Sequence, residues 1–150
     1  MLAFVVCLAV VFAAAFFGAQ FQVGDWYAGL AKPPWTPPNA VFGPVWSVLY
    51  AMMAVAGALV WRKAGFGAVW TPLAVFAVQL VLNAAWSWLF FGLHRPGAAF
   101  AEIVVLWVAI LITLVLFWRV RPVAGVLFLP YLLWVSFAAA LNFSIWRLNA

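Results

Sequence analysis

The sequence predicts an all-α integral membrane protein, built as a bundle of five transmembrane helices. The chain of 150 residues is 71% hydrophobic and only 6% charged, with a mean hydropathy of +1.23. A soluble domain carries about 25% charged residues and about half apolar ones. Seven Lys/Arg, two Asp/Glu and one His cannot cover a water-facing surface. The apolar runs are also continuous, which disfavours a membrane β-barrel because barrel strands alternate.

Five segments are long enough to cross a bilayer, for which a helix needs about 20 mostly apolar residues. Polar, Gly and Pro clusters divide the single domain, residues 1–150, into spans at 2–21, 41–62, 71–92, 97–118 and 123–147. The first span lacks the basic flank of a signal peptide and has too long an apolar run for one, so we expect it to be retained. Only the connection between the first and second spans, residues 22–40, is long. The remaining connections are short, which predicts that sequential spans are antiparallel neighbours.

The charges predict an orientation and exclude one class of partner. The net charge of +5 comes from scattered cations and not from a basic patch, so we expect no nucleic-acid partner. Four cations follow the even-numbered spans and three lie at the other side of the predicted bundle. Because Lys and Arg accumulate in cytoplasmic connections, this difference predicts a cytoplasmic N-terminus with the first loop and the C-terminus outside.

Three spans carry a stripe of aromatic, polar or small residues at helical spacing. The stripes are Trp46, Tyr50, Met53 and Gly57 in the second span, Gln79, Asn83, Trp86 and Phe90 in the third, and Tyr131, Trp134, Ala138 and Asn142 in the fifth. Polar groups at membrane depth face the interior of a bundle or a cavity. Two interpretations stay open: hydrogen bonds between closely packed helices, or a pocket of rings in which a few amides orient a ligand.

The eleven tryptophans divide by position. Six fall near the ends of spans, where an aromatic belt at the membrane interface is the ordinary explanation. Trp46, Trp86 and Trp134 lie on the stripes and are the better candidates for contact with a flat aromatic ligand. We expect Trp88 and Trp107 to face lipid or a neighbouring helix.

The first loop, Trp26–Pro38, reads WYAGLAKPPWTPP and holds four of the nine prolines. Proline fixes its own φ and restricts the residue before it, so the loop should be rigid and extended. Its apolar side chains, Tyr27 among them, can fold onto the bundle. The loop is predicted to be a structural cap, a lid over a pocket, or both.

Few residues offer other chemistry. Cys7 lies in an apolar run and is expected to be a small buried residue. Glu102 should reach the membrane interface, pair with a cation such as Arg95, or orient a ligand, and His94 should be solvated. No spacing typical of a metal site occurs, and no nucleophile–base set for hydrolysis is recognisable.

The loop sequence and the following Phe42–Tyr50, FGPVWSVLY, resemble the tryptophan-rich sensory protein family, TspO/MBR, which includes the mitochondrial translocator protein, or peripheral-type benzodiazepine receptor. Two further blocks match the family in order: QLVLNAAWSWLFFG, Gln79–Gly92, and PYLLWVSFAAALN, Pro130–Asn142. The resemblance therefore covers essentially the whole chain.

The resemblance implies a five-helix protein, commonly a homodimer, that binds porphyrins and other hydrophobic ligands beneath the first loop. No obligatory cofactor or metal is implied, and protoporphyrin IX is the expected ligand. The family's ligand positions fall on Trp46, Asn83, Trp134 and Ala138, with Tyr50, Trp35 and Trp86 nearby. The stripes add Gln79, Phe90, Tyr131 and Asn142 to the predicted ligand-binding residues.

Three functions remain open at this point. The first is a receptor or sensor for porphyrin. The second is an enzyme that degrades porphyrin in light, for which Trp46 and Trp134 are the catalytic candidates. The third is a translocator of tetrapyrroles or lipids. A sterol role is disfavoured, because Phe143 stands where the animal members' sterol motif has Tyr.

Membrane lipid surrounds any of these proteins, and pairs of small residues spaced four apart could pack two copies together. Those pairs are Ala14 with Gly18 and Gly97 with Ala101.

Overall fold

The computed structural model describes residues 1–21 and 23–150, which form five long helices and one short one. The helices are α1 Leu2–Ala19, α2 Asp25–Ala28, α3 Asn39–Ala64, α4 Trp70–Ser87, α5 Pro96–Val120 and α6 Pro122–Leu148, and α4 continues as a π-helical turn, Trp88–Gly92. With α4 extended to Gly92, each long helix has the length and composition to cross a membrane. The predicted all-α architecture with five spans is confirmed.

The ends of the long helices lie within two residues of the predicted ends, and local chemistry sets several of them. Pro96 and Pro122 begin α5 and α6 at the first helical position, where the missing N–H costs nothing. Gly65 ends α3 with a φ of +81°, which a residue without a side chain adopts freely. The short helix α2 was not predicted.

Around the bundle the long helices follow the order α1, α3, α6, α5, α4, with α4 packed back against α1. One expectation is therefore wrong: α3 and α4 make few contacts, although a short turn joins them. They converge at Gly57, where an added Cβ would lie 3.2 Å from Phe76 Cε1 and 3.3 Å from Sγ of Cys7 on α1. Cys7 is buried there, as predicted. Toward the loop end of the bundle a cavity separates the two helices.

A chain of side-chain hydrogen bonds joins α3, α4 and α6 inside the bundle. Tyr50 Oη donates to Asn83 Oδ1 (2.7 Å), and Asn83 Nδ2 donates to Tyr131 Oη (2.8 Å). Tyr131 Oη in turn donates to Gln79 Oε1 (2.8 Å), and Gln79 Nε2 points to Met53 Sδ at 3.6 Å. Gln79 and Tyr131 are fully buried. The chain satisfies polar groups for which a bilayer has no partner.

The first loop folds onto the loop end of the bundle and is tied to the C-terminus of α6. Ala31 N donates to Asn149 Oδ1 (3.0 Å), and Asn149 Nδ2 donates back to Ala31 O (2.9 Å). Lys32 Nζ donates to the carbonyl oxygens of Tyr27 (2.7 Å) and Leu30 (3.0 Å), which closes the turn after α2. Tyr27 is buried, as predicted for an apolar side chain of this loop.

Replacing the shared hydroxyl in the buried chain should destabilise the bundle. Tyr131→Phe leaves Gln79 Oε1 and Asn83 Nδ2 without their partner, and we expect the free energy of unfolding to fall by about 1–2 kcal/mol. Thr113→Val is the matched control, because the Thr113 hydroxyl is also fully buried but bonds only to Ala109 O of its own helix. Unfolding of both variants in denaturant, followed by circular dichroism in detergent, measures their stabilities. A Tyr131→Phe variant as stable as Thr113→Val would contradict the prediction.

Removing the link between the loop and α6 should free the loop without unfolding the bundle. In Asn149→Ala both hydrogen bonds to Ala31 are lost, so amide hydrogens of residues 25–32 should exchange about tenfold faster. Asn149→Asp keeps the acceptor for Ala31 N–H. Its loop amides should therefore exchange at a rate between those of Asn149→Ala and the parent protein. Hydrogen–deuterium exchange read by mass spectrometry measures this, and unchanged exchange in the loop would show that the link does not hold it.

Candidate ligand-binding cavity

A cavity of about 530 Å³ lies beneath the first loop, among α1, α3, α4 and α6. Its volume falls within the range of about 300–1,000 Å³ that is typical of small-molecule sites. The residues that line it come from the loop-end half of the bundle, which is the end that holds α2 and the C-terminus.

One wall of the cavity is an aromatic cluster from α3 and α6. The ring of Trp46 stacks on Tyr50, with centroids 5.6 Å apart, and stands perpendicular to Trp134 at 6.4 Å. Phe42 and Phe137 continue the cluster at 6.0 Å and 5.5 Å from Trp134. The spacing along α3 and α6 brings these side chains to one face of each helix.

A second aromatic cluster comes from α4 and the loop. Trp86 stacks on Phe90 (5.4 Å), and Tyr27 reaches down from α2 to within 6.3 Å of Phe90 and 5.7 Å of Phe91, centroid to centroid. Phe90 and Phe91 are consecutive, yet both line the cavity. They can do so because the chain makes a π-helical turn here, in which Leu93 N donates to Trp88 O (2.8 Å).

The helix α1 completes the cavity with Phe12 and with three small residues, Ala15, Gly18 and Ala19. A Cβ on Gly18 would lie 3.5 Å from Ser87 Oγ and 4.0 Å from Tyr50 Oη, so this glycine faces the interior of its own bundle. The same holds for Gly97, where a Cβ would approach Trp146 Nε1 to 2.9 Å. These glycines, considered above for contact between two copies, therefore pack within one chain.

The structure brings seven of the eleven predicted ligand-binding residues to the cavity wall. They are Trp46, Tyr50, Trp86, Phe90, Trp134, Ala138 and Asn142. The other four require a correction of their position. Gln79, Asn83 and Tyr131 lie in the buried hydrogen-bond chain below the cavity, and Trp35 lies on the loop, edge-on to Phe137 at 5.6 Å. Helical spacing predicts the face of a residue but not its depth, and the cavity occupies only one half of the bundle.

The amide of Asn142 is at the cavity wall, but protein groups already use it. Trp86 Nε1 donates to Asn142 Oδ1 (2.9 Å), and Asn142 Nδ2 donates to Pro96 O at the start of α5 (2.7 Å). Asn142 therefore fixes the ring of Trp86 and joins α4, α5 and α6. Both interpretations of the stripes therefore hold in part. The amides form hydrogen bonds between helices, and most of the aromatic residues line a pocket.

Several wall residues were not predicted as ligand-binding residues, among them Tyr27, Phe42, Phe91 and Phe137. Two of them had a usable signal: Phe42 precedes Trp46 by four residues and Phe137 follows Trp134 by three, so both extend stripes already identified. The residues of α1 had none, because that helix carries no polar residue to mark its inner face.

The remaining candidates lie apart from the cavity. Both carboxylate oxygens of Glu102 are buried without a hydrogen-bond partner among the described residues, so Glu102 does not pair with Arg95, and it does not line the cavity. His94 is exposed, as predicted, and stacks on Trp26 (4.3 Å). Within residues 1–21 and 23–150, no group of three or more His, Cys, Asp or Glu could hold a metal ion.

Trp88 and Trp107, which were expected to face lipid or a neighbouring helix, are placed accordingly. Trp107 Nε1 donates to Ser136 Oγ on α6 (2.7 Å), so Trp107 packs against a neighbouring helix. Trp88 is exposed on the surface of the bundle.

Comparison with known proteins matches the TspO/MBR family over residues 3–147. The tryptophan-rich protein TspO of Archaeoglobus fulgidus is 46% identical over 143 residues, which cover 95% of this chain and 92% of that protein. Protein CrtK of Rhodobacter capsulatus is 45% identical over 137 residues, 88% and 83% of the two chains. The translocator protein of Homo sapiens is 40% identical over 139 residues, 89% and 82%. With the family match extending over nearly every residue, the chain belongs to the TspO/MBR family.

Proposed function

We propose that this multi-pass membrane protein is a receptor or sensor that binds a porphyrin, or a similar flat hydrophobic molecule, in the cavity beneath the first loop. The observation that carries the proposal is the pair of aromatic clusters around one 530 Å³ cavity. Family membership supports a receptor or translocator role in a membrane. The choice of porphyrin among hydrophobic ligands is our inference.

A porphyrin suits the chemistry of the cavity because it is flat, aromatic and largely apolar. Offset-stacked and edge-to-face ring pairs each contribute about 0.5–1.5 kcal/mol beyond the burial of apolar area. Trp46 and Trp134 present rings at 90° to one another, so a flat ligand can stack on one while it meets the edge of the other. The small residues of α1 leave room for such a ligand.

A second candidate function is light-driven degradation of the bound porphyrin. The observation that favours it is that Trp46 and Trp134, the proposed catalytic residues, both line the cavity. An indole in contact with an excited porphyrin can quench it or react with the oxygen species it forms. Translocation is less well supported, because the buried chain from Tyr50 to Gln79 fills the bundle below the cavity.

We further propose the setting in which the protein works. It would be a homodimer surrounded by lipid, with its N-terminus in the cytoplasm. Arg62, Lys63, Arg119 and Arg121 support this orientation, because they lie at the end of the bundle that holds the N-terminus. The loop and the cavity would then face the opposite side of the membrane.

Loss of one cavity tryptophan should weaken porphyrin binding. We expect Trp46→Ala to raise the Kd for protoporphyrin IX by about 30-fold, because truncating a central aromatic contact typically costs about 2 kcal/mol or more. Trp70→Ala is the matched control, since Trp70 is 62% exposed and does not line the cavity. Titration in the dark, followed by quenching of tryptophan fluorescence, gives both constants; an unchanged Kd in Trp46→Ala would refute the assignment of the cavity.

Illumination separates the receptor from the enzyme. If the protein is a receptor, the Soret band of the bound porphyrin should fade under light at the same rate with the parent protein as with the Trp134→Phe variant. A discrete product formed over many turnovers, whose yield falls in Trp134→Phe while dark binding persists, would instead establish degradation as the function. Absorbance and mass spectrometry of the extracted pigment measure the two outcomes.

A further inference from the structure

Four cations from two distant parts of the sequence come together at the end of the bundle opposite the first loop. This cationic end consists of Arg62 and Lys63 in the last turn of α3, Arg119 in the last turn of α5, and Arg121 between α5 and α6. All are exposed except Arg121, which is half-buried. The chain has only two acidic residues, and both lie toward the loop: Asp25 begins α2, and Glu102 lies in the first half of α5. No acidic side chain therefore neutralises the cationic end.

The loop end has almost as many cations, but the fold already uses one of them. Lys32, Arg95 and Arg147 lie there. The Lys32 ammonium donates to backbone carbonyl oxygens of the loop, the shortest hydrogen bond being 2.7 Å, so this charge serves the loop itself. The other two cations are exposed and share the loop end with the exposed carboxylate of Asp25. The two ends of the bundle therefore differ in charge by more than their counts of cations indicate.

Large aromatic side chains surround the cationic end. Phe66 is 53% exposed, Trp70 is 62% exposed and Trp118 is 46% exposed. Two of these rings are held in place: Phe66 packs against Trp61 with centroids 5.1 Å apart, and Trp118 lies against Gly125, where an added Cβ would be 2.7 Å from Trp118 Cβ. Tryptophan at the ends of membrane helices lies at the level of the lipid headgroups. We therefore expect the four cations beside these rings to lie at that level too.

We propose that the cationic end is a binding surface for anionic phospholipids. In this arrangement the four cations bind the phosphate groups of the lipid headgroups, and the aromatic side chains around them contact the first part of the acyl chains. The protein would thus bind one chemical class of lipid at one end of the bundle only. The proposal goes beyond the function proposed above and does not depend on what the cavity binds.

A phospholipid fits this surface better than an acidic protein segment in water, because it matches both of its components. Phosphate oxygens accept charge-assisted hydrogen bonds from guanidinium and ammonium groups, and the attached chains cover the exposed rings. An acidic segment would neutralise the cations and leave the rings uncovered. The position of Arg62 is fixed by the ring of Phe4 on α1, whose centroid lies 5.5 Å from Arg62 Cζ.

The test measures which lipids the protein binds. The full chain is reconstituted in phosphatidylcholine bilayers that contain a trace of spin-labelled phosphatidylglycerol or spin-labelled phosphatidylcholine. Electron paramagnetic resonance then gives the association constant of each lipid with the protein. The variant is Lys63→Gln with Arg119→Gln, and the matched control is Arg95→Gln with Arg147→Gln, which removes the same two charges from the loop end. All four side chains are exposed, and circular dichroism confirms that each protein is folded.

We expect the parent protein to bind phosphatidylglycerol about fivefold more tightly than phosphatidylcholine, because each Lys or Arg beside an anionic lipid contributes about a factor of five in affinity. The variant of the cationic end should lose most of this preference, and the control should keep it. In the parent, 1 M NaCl should abolish the preference, since it shortens the Debye length to about 3 Å.

Three results would overturn the proposal. A parent protein without a preference for phosphatidylglycerol is one. An equal loss of preference in the two double variants is another, because it would show an effect of net charge and not of the cationic end. The third is displacement of phosphatidylglycerol by inorganic phosphate far more effectively than by NaCl of equal ionic strength, which would indicate a site for free phosphate. None of these results changes the test of porphyrin binding, which uses other residues and another ligand.

Discussion

The bundle depends on how it satisfies the polar side chains that lie at membrane depth. Lipid offers them no hydrogen bonds, so each must find a partner within the protein. Tyr131 solves this for two amides at once, since its hydroxyl accepts from Asn83 and donates to Gln79. These hydrogen bonds join α3, α4 and α6 at one depth of the bundle. The cavity lies between this level and the first loop.

The cavity follows from where the helices approach and where they cannot. At Gly57 the absence of a side chain lets α1, α3 and α4 converge around Phe76. Toward the loop α3 and α4 carry large rings, and the π-helical turn after Ser87 adds two adjacent phenylalanines to the wall. Tyr50 belongs to both regions, because its ring stacks on Trp46 while its hydroxyl bonds to Asn83.

The loop is part of the cavity and is held from both sides. Asn149 ties it to the end of α6, while Trp26 stacks on His94 at the turn that follows α4. This anchoring places Tyr27 in the cavity wall, to which α6 contributes Trp134. Asn142, which helical spacing predicts as a polar ligand contact, instead joins three helices. The buried donors that have no partner among the described residues belong to Tyr27 and Trp134, which also have large aromatic surfaces.

The sequence by itself determined the membrane class, the five helices and the inner faces of three of them, because apolar length and helical period are local properties of the chain. Trp46, Trp86 and Trp134 could be assigned to the interior in this way. Tertiary structure alone decided which helices are neighbours, at what depth the cavity ends and which polar groups remain free. Those depend on contacts between distant residues: Gln79 and Trp86 share a stripe, yet one lies in the buried chain and the other at the cavity wall.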